Sequence, residues 1–333
     1  MPRTMTGGDV YAIQIEEDRL VWQETANASA GAGEVRIKIY ATAINRADLA
    51  QRRGGYPPPP GASEIMGLEC SGTVIEVGHG VTRVQEGDEV CALLAGGGYA
   101  EEVVVPAGQV LPVPSGLSLT QAAALPEVFA TAYLNLYGEG ALQKGEQVVL
   151  HAGASGVGTA AIQMLKASGN PCFITASGAD KIAACVALGA DDGHDRQQGS
   201  FRAAAEAWAG PQGVDVILDP VGAQYMADNL SLLSLNGRLI LIGLMGGAQT
   251  EVNLGLLMMK RLRLVGSTLR ARSIAEKAAV MDGLLRDIWP GLEEGSIKPM
   301  IDRVFPIQEA AQAHAYLAGN QTIGKVVMMV DDA

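Results

Sequence analysis

The sequence lacks a hydrophobic run long enough to cross a bilayer. Its longest apolar stretch, residues 239–248, is about half of the ~20 residues that a spanning helix needs. The sequence is also short of positive charge, because 24 Lys and Arg stand against 36 Asp and Glu, a formal net charge of −12. A chain with this charge repels phosphate backbones and anionic lipid surfaces. We therefore expect neither a nucleic acid nor a membrane among its partners.

Cysteines are few, and no two of them have the Cys-x-x-Cys spacing of a metal or redox motif. The four are Cys70, Cys91, Cys172 and Cys185. Residues 1–18 contain no long apolar segment of the kind that directs secretion. We expect a cytoplasmic protein whose thiols are reduced.

Glycine, in contrast, is abundant: 42 of the 333 residues, against a typical share of about 7%. The composition, 48% hydrophobic and 18% charged, is that of an ordered globular chain. Its length favours about two domains. The glycines indicate many tight turns or close backbone approaches.

The first third of the chain is predicted to be a small β-barrel. Val35, Ile37 and Ile39 alternate with polar residues, and further short apolar runs follow between turn residues. The four consecutive prolines at 57–60 exclude a helix or a central strand and predict a stiff loop. We place the first domain boundary at residue 121, where an Ala-rich helical stretch begins.

From residue 146 onwards, predicted strands alternate with predicted helices. The strands are expected at 147–152, 172–176, 214–219, 238–243 and 262–268, and the first two helices at 157–168 and 180–188. Such alternation is typical of an α/β fold with a doubly wound parallel sheet, the Rossmann arrangement.

A glycine-rich turn follows the first of these strands and leads into the first helix. This context predicts a dinucleotide site, in which glycines let the backbone approach a pyrophosphate at a helix N-terminus. The spacing G-x-x-G-x-G is not the strict motif, so a glycine turn of another α/β protein remains the alternative. The predicted contacts are Gly153, Ala154, Ser155, Gly156, Val157 and Gly158.

The end of the second strand indicates which dinucleotide is bound. Small residues stand where an NAD site carries Asp or Glu, and Ser177, Lys181 and Arg196 could bind a 2′-phosphate. We therefore favour NADPH. Asp180 argues against this choice, because it could hold a ribose hydroxyl, and Lys181 could be only a solvated helix-start lysine.

Several short motifs occur along the chain, at residues 43–48, 67–69, 84–90, 98–101, 122–126, 243–247 and 323–327. In order and spacing, they resemble those of the medium-chain dehydrogenase/reductases. The similarity is closest to the zinc-free quinone oxidoreductases, within the branch of the tumour-suppressor-inducible quinone oxidoreductase, with zeta-crystallin more distant.

This resemblance implies a Rossmann domain, residues 122–270, inserted into a GroES-like β-barrel domain, residues 1–121 and 271–333. It also implies an active site in the cleft between the domains. Members of the family are usually homodimers joined through the last Rossmann strand, here residues 262–268, which would otherwise be an unprotected edge.

The resemblance also makes zinc testable from sequence. Asn45 stands where the zinc enzymes of the superfamily carry Cys, and Leu68 where they carry His, while no four-cysteine lobe follows Cys91. Zinc needs about three or four N, S or O ligands. We predict that no metal is bound.

By the resemblance, Asn45, Asp48 and Tyr56 line the cleft near the nicotinamide and are the candidate catalytic residues. Asn45 could donate its amide to the substrate, and Tyr56 could supply a proton or stack on a flat ring. In the alternative interpretation, Asn45 and Asp48 only cap a turn and Tyr56 is a loop aromatic. We interpret His151 as a core histidine.

The remaining cofactor contacts follow from the resemblance alone. One group borders the nicotinamide or its ribose, and another lies near the C-terminus, where Lys325 could equally be a surface charge. These residues are Thr131, Gly243, Leu244, Met245, Gly246, Ser267, Thr268, Leu269, Asn320 and Lys325.

The function that these residues favour is zinc-independent hydride transfer from NADPH to a quinone bound in the cleft. Two alternatives remain. The first is an NADPH-dependent enoyl-thioester or alkenal reductase, and the second is an NADPH-binding protein with little turnover.

Overall fold

The computed structural model describes residues 9–17, 19–26 and 28–330. Its contacts divide the chain into two compact units, here called the barrel unit (Met1–Ala130 with Leu269–Ala333) and the Rossmann unit (Thr131–Thr268). The first boundary therefore falls nine residues beyond the predicted 121 (130 − 121), because Ala123 and Ala124 pack in a barrel-unit core cluster. The predicted outer ends of the first domain, 1–8 and 331–333, lie outside the described residues.

The described strands are, in chain order, β1 (Val10–Glu16), β2 (Arg19–Thr25), β3 (Glu34–Ile44), β4 (Glu69–Val77), β5 (Glu89–Leu93), β6 (Glu102–Pro106), β7 (Val110–Pro112), β8 (Val148–Leu150), β9 (Cys172–Ala176), β10 (Asp192–Asp195), β11 (Val214–Asp219), β12 (Leu233–Leu241), β13 (Arg263–Gly266), β14 (Ile301–Pro306) and β15 (Lys325–Met329). The α-helices are α1 (Arg46–Arg52), α2 (Leu119–Ala122), α3 (Pro126–Tyr133), α4 (Gly156–Ser168), α5 (Ala179–Leu188), α6 (Arg202–Ala209), α7 (Met226–Leu232), α8 (Leu254–Met259), α9 (Ile274–Asp287), α10 (Trp289–Glu293) and α11 (Ala310–Ala318).

The Rossmann unit contains the predicted parallel sheet. Its six strands run in the order β10-β9-β8-β11-β12-β13, and all pairings are parallel. The central strands are apolar along their length, because helices cover both faces of such a sheet. Val149, Phe173, Ile217 and Leu239 are fully buried in its core. The α/β fold class is confirmed.

The barrel unit is built around the long strand β3. Alternate β3 residues are buried, as their sequence pattern predicts, and the strand pairs antiparallel with β4, β6 and β15. The sheet runs β14-β15-β3-β4-β5-β7, so the C-terminal β15 completes a sheet formed mainly by the first third of the chain.

The two units place the predicted site residues on different kinds of element. In the Rossmann unit most of them follow the carboxyl ends of β8, β9, β12 and β13, and in the barrel unit they lie at α1, in the proline loop and at β15. Within the described part of the chain, no helix is both long and apolar enough to cross a membrane.

Candidate functional site

The glycine-rich turn joins β8 to α4 by close backbone packing. Ser155 caps the helix, its Oγ accepting a hydrogen bond from the N–H of Gly158 at 3.1 Å. A Cβ on Gly158 would lie 2.4 Å from the Gly153 carbonyl oxygen, and one on Gly153 would lie 2.7 Å from Cβ of Ile174. The left-handed backbone of the turn falls on Ala152 (φ 56°). The result is a helix N-terminus that a phosphate can approach.

The residues predicted to bind the 2′-phosphate follow the ends of β9 and β10. Ser177 and Lys181 are partly buried and Arg196 is exposed. Asp195, which the sequence analysis missed, accepts hydrogen bonds from the backbone N–H groups of Gly178 at 2.9 Å and of Gln197 at 3.0 Å, and these bonds lower its pKa. A carboxylate thus stands next to Arg196, and the preference for NADPH stays a prediction.

The loop after β12 packs onto the end of β11. The N–H groups of Met245 and Gly246 donate to the carbonyls of Pro220 at 3.1 Å and Val221 at 2.7 Å. A Cβ on Gly243 would lie 2.8 Å from the Pro220 oxygen, so the close approach requires glycine there. Leu244 and Met245 remain more than half exposed at the tip.

The segment after β13 holds a hydroxyl with no partner. Ser267 is 9% exposed, its backbone N–H donates to Leu241, and its buried Oγ has no hydrogen-bond partner among the described residues. A buried hydroxyl without a partner is a group that a ligand can satisfy. Thr268 closes the Rossmann unit, the buried Leu269 opens the second barrel-unit segment, and Thr131 begins the Rossmann unit within α3.

In the barrel unit, Asn45 belongs to a buried ion-pair cluster. Its Nδ2 donates to Glu69 Oε1 at 2.9 Å, and Lys325 Nζ lies 2.7 Å from both Asn45 Oδ1 and Glu69 Oε1. The side chains of Glu69 and Lys325 are 0% and 4% exposed, so Lys325 is not a surface charge. Both ends of the Asn45 amide are therefore engaged by protein groups.

Asp48 forms hydrogen bonds to two backbone segments, at Asn45 and at Gly67. Its Oδ2 accepts from the N–H of Asn45 at 2.7 Å, and its Oδ1 accepts from the N–H of Gly67 at 3.1 Å. Burial raises the pKa of Asp48 to about 6, although these hydrogen bonds oppose the rise. This geometry matches the turn-capping interpretation of Asp48.

A second carboxylate, that of the partly buried Glu127, lies beside the same ion pair with its Oε2 buried, and the sequence did not single it out. Its backbone N–H donates to Glu69 Oε2 at 2.9 Å, whereas its own Oε2 has no hydrogen-bond partner among the described residues. Burial, and then the charge of Glu69, raises the pKa of Glu127 to about 8. An acidic residue inside the apolar segment 122–130 was the available sequence signal.

Tyr56 is held by Arg270. The guanidinium lies 5.3 Å from the ring centroid and donates to the Tyr56 carbonyl at 3.2 Å, to Gln51 Oε1 at 2.8 Å and to the carbonyl of Ala95 at 2.8 Å. Burial, and then the charge of Glu127, raises the pKa of the Tyr56 phenol. Tyr56 is therefore protonated at neutral pH and can donate a proton.

The residues at the zinc positions of related enzymes do not fit zinc. Leu68 is buried and apolar, and the Asn45 amide is already bonded to Glu69 and Lys325. Among the described residues, no group of three or more His, Cys, Asp or Glu could hold a metal ion. Burial raises the pKa of the thiols of Cys70 and Cys91, which makes both poor ligands.

The structure thus brings together Asn45, Asp48 and Lys325, which are linked by hydrogen bonds. Tyr56 is not bonded to them, but the charge of the neighbouring Glu127 raises its pKa. Asn320 lies at the surface, where its Oδ1 accepts a hydrogen bond from Arg46.

Two family models match the chain. Residues 31–115 match the alcohol dehydrogenase GroES-like domain, and residues 188–328 match the zinc-binding dehydrogenase family. A curated relative, the quinone oxidoreductase of Rattus norvegicus, is 30% identical over 299 residues, which cover 89% of each chain.

Solved structures resemble the whole chain. The CurK enoyl reductase is 26% identical with a TM-score of 0.84, covering 97% of this chain and 99% of its own. A mycobacterial protein, Rv1454c, solved in complex with NADPH, is 28% identical with a TM-score of 0.83, covering 96% of this chain and 100% of its own.

Proposed function

Since the chain belongs to the medium-chain dehydrogenase/reductase superfamily, among its quinone oxidoreductase-like members, we propose that it is a zinc-independent NADPH:quinone oxidoreductase. The observation that carries this proposal is the Asn45–Glu69–Lys325 cluster. Its amide, with the neighbouring apolar Leu68, occupies the positions at which the zinc enzymes carry two ligands. A quinone is the acceptor that needs least assistance there, because its reduction yields an aromatic hydroquinone.

NADPH, when bound, supplies the hydride, and the protein supplies position and a proton. Tyr56 is the donor that the site favours, since its phenol is neutral and its loop is fixed by Arg270. Asn45 and Asp48 shape the site, because their polar atoms are taken up by Lys325, Glu69 and backbone N–H groups. A quinone that has accepted a hydride is a hydroquinone monoanion, and the proton from the Tyr56 phenol converts it to the neutral hydroquinone.

The cofactor is proposed to bind the Rossmann unit. The turn at Gly153–Gly158 supports a pyrophosphate site, and the Ser267 hydroxyl has no partner among the described residues to compete with a ligand. Ser177, Lys181 and Arg196 favour a 2′-phosphate, with Asp195 as the opposing group.

The same geometry favours one other reaction. A neutral, anchored phenol can also protonate the α-carbon after hydride transfer to an enoyl thioester, and an enoyl reductase is among the similar structures. An NADPH-binding protein with little turnover is the remaining alternative.

We also propose a homodimer formed through β13. This strand is the last of its sheet, and the adjoining helix α8 exposes Leu254, Met258 and Met259 by 71–74%. Sedimentation at several concentrations tests this proposal, and a monomer at micromolar concentration would contradict it.

The decisive assay follows NADPH and NADH oxidation with 1,2-naphthoquinone and with crotonyl thioester. Wild-type protein is compared with Lys181→Ala and with a control, Lys144→Ala, which removes an exposed lysine of the same unit. Quinone turnover that prefers NADPH, with the preference reduced only in Lys181→Ala, is the expected result. Thioester turnover with inert quinone would favour the enoyl reductase, and tight NADPH binding with neither acceptor active would favour the binding protein.

A further inference from the structure

His151 is the last residue before the glycine-rich turn and is only 3% exposed. Its ring packs against those of Phe201 and Tyr225, at centroid distances of 4.6 and 4.7 Å, and the three rings form one cluster. Neither nitrogen faces solvent or a proposed substrate, because each has a protein partner. Both ring nitrogens of His151 therefore form hydrogen bonds within the protein.

The hydrogen bonds on one side of the ring have a fixed direction. Asp219 Oδ1 accepts from the N–H groups of Val221 at 2.6 Å and Gly222 at 3.2 Å, and its Oδ2 accepts from Asn229 Nδ2 at 2.9 Å. Because the Asn229 amide points its NH2 at this carboxylate, its oxygen faces His151 Nε2 at 2.7 Å. Nε2 must therefore carry the proton.

The other nitrogen completes the chain. Nδ1 lies 3.0 Å from Thr175 Oγ1. Burial lowers the pKa of His151, although the nearby charges of Asp219 and Asp228 and the Asn229 hydrogen bond act in the opposite direction. The ring is neutral with its single proton on Nε2, so Nδ1 accepts from the Thr175 hydroxyl.

This chain links the ends of β8, β9 and β11, and the first two of these strands lead into proposed cofactor loops. The carbonyl of Thr175, at the end of β9, also accepts from the N–H of Gly153 in the turn at 2.9 Å. On the other side, the carbonyl of Val221, beyond β11, accepts from Gly246 in the loop after β12 at 2.7 Å. The turn, the end of β9 and the 243–246 loop thus share one network with His151 at its centre.

We propose that His151, as the neutral Nε2–H tautomer, is a positioning residue that holds the three dinucleotide-binding loops in their mutual arrangement. The inference rests on the proposed function only in that these loops bind the nicotinamide cofactor. Because His151 acts through the loops, its removal should weaken cofactor binding without removing a cofactor contact.

The first test is the tautomer itself. Long-range heteronuclear NMR of the histidine rings, with four histidines to assign, should place the His151 proton on Nε2 over the neutral pH range. A proton on Nδ1 would reverse the chain and overturn the proposal. This measurement uses the wild-type protein and does not depend on the folding of any variant.

The second test is NADPH binding, followed by fluorescence without any acceptor. We expect His151→Phe, which breaks both links, to raise Kd about tenfold, and His151→Gln, which keeps a donor towards Asn229, to raise it about threefold. The control Leu262→Ala lowers Tm through the core of the same unit, and its Kd should stay within about twofold of wild type. An unchanged Kd in His151→Phe, or an equal loss in Leu262→Ala, would overturn the positioning role.

These outcomes are distinct from a failure of the proposed function. If wild-type protein binds NADPH but reduces no quinone, the reaction assignment falls and the positioning role of His151 stands or falls on the Kd values. If wild-type protein binds neither NADPH nor NADH, both proposals fall.

As a further check, adding Asn229→Leu to His151→Phe should raise Kd little beyond the larger single effect, because both changes break one chain.

Discussion

The candidate sites of the two units consist of different kinds of chemical group. The Rossmann unit offers a turn in which glycine is required, because a Cβ on Gly158 would lie only 2.4 Å from a backbone oxygen, together with an unpartnered hydroxyl on Ser267 among the described residues. The barrel unit offers buried charged groups, with Glu69 and Lys325 almost fully enclosed. A site of the first kind binds through backbone shape, whereas one of the second kind acts through charges whose protonation depends on their neighbours.

This contrast predicts that single substitutions will have separable effects. Changes in the Rossmann unit should alter cofactor affinity, and changes in the barrel unit should alter stability, pH dependence and turnover.

The largest effect is expected from Lys325→Met. It leaves Glu69 as a buried carboxylate without its cation and should destabilise the protein by about 3–5 kcal/mol. Denaturant unfolding measures the loss. The double variant Glu69→Gln/Lys325→Met removes both charges and should recover much of it, and a double variant no more stable than the single one would contradict the ion-pair account.

A smaller loss of unfolding free energy, on the order of 2–4 kcal/mol, is expected when Glu127 ionises. Because burial raises the pKa of this carboxyl from 4.5 to about 8, the folded protein holds a proton that the unfolded chain releases. The associated stability is fully present below about pH 4.5 and is lost as the pH rises through about 8. Unfolding free energies of wild type and Glu127→Gln across this range should converge at the acid end and diverge in favour of the variant at the alkaline end. Parallel curves would contradict the assignment.

The third effect falls on the glycine-rich turn. Gly158→Ala places a Cβ 2.4 Å from the Gly153 carbonyl, and the backbone shift should destabilise the protein by about 1–3 kcal/mol and raise the Kd for NADPH. Gly266→Ala is the matched control, since a Cβ there meets nothing within 4 Å. Calorimetry and NADPH titration of both variants provide the comparison, and equal behaviour of the two would contradict the packing argument.

The smallest effect is expected from Ser267→Ala. Because its buried hydroxyl has no partner among the described residues, its removal should change the unfolding free energy by less than about 1 kcal/mol. If the hydroxyl bonds the cofactor, the Kd for NADPH should still rise severalfold. A Kd equal to that of wild type would remove Ser267 from the proposed contacts.

The sequence predicts the strand, glycine-rich turn and helix of the proposed cofactor site well, because its signals are local. Gly153, Ser155 and Gly158 lie within six residues, and the flanking strand and helix have clear periodicities. The buried network of the barrel unit is different. Glu127 meets Glu69 across 58 residues and Arg270 meets Gln51 across 219, so the fold alone brings these groups together.

Asn45 and His151 show the same limit in single residues. The sequence marks Asn45 as a departure from a zinc ligand, but its bond to Lys325, 280 residues away, is what engages its amide. The sequence indicates a core position for His151, but not the Asn229–Asp219 chain that fixes the direction of its hydrogen bonds.

The separation of the two sites is tested most directly by measuring the Kd for NADPH and kcat with 1,2-naphthoquinone side by side in Lys181→Ala and Glu127→Gln. We predict that Lys181→Ala raises Kd about tenfold with little change in kcat, because it removes one charge-assisted contact to the 2′-phosphate. Glu127→Gln should keep the Kd of wild type and change the pH profile of kcat above about pH 8, where the ionised carboxylate of Glu127 raises the pKa of Tyr56. A tenfold rise of Kd in Glu127→Gln, or wild-type protein that binds NADPH and reduces no quinone, would contradict the account.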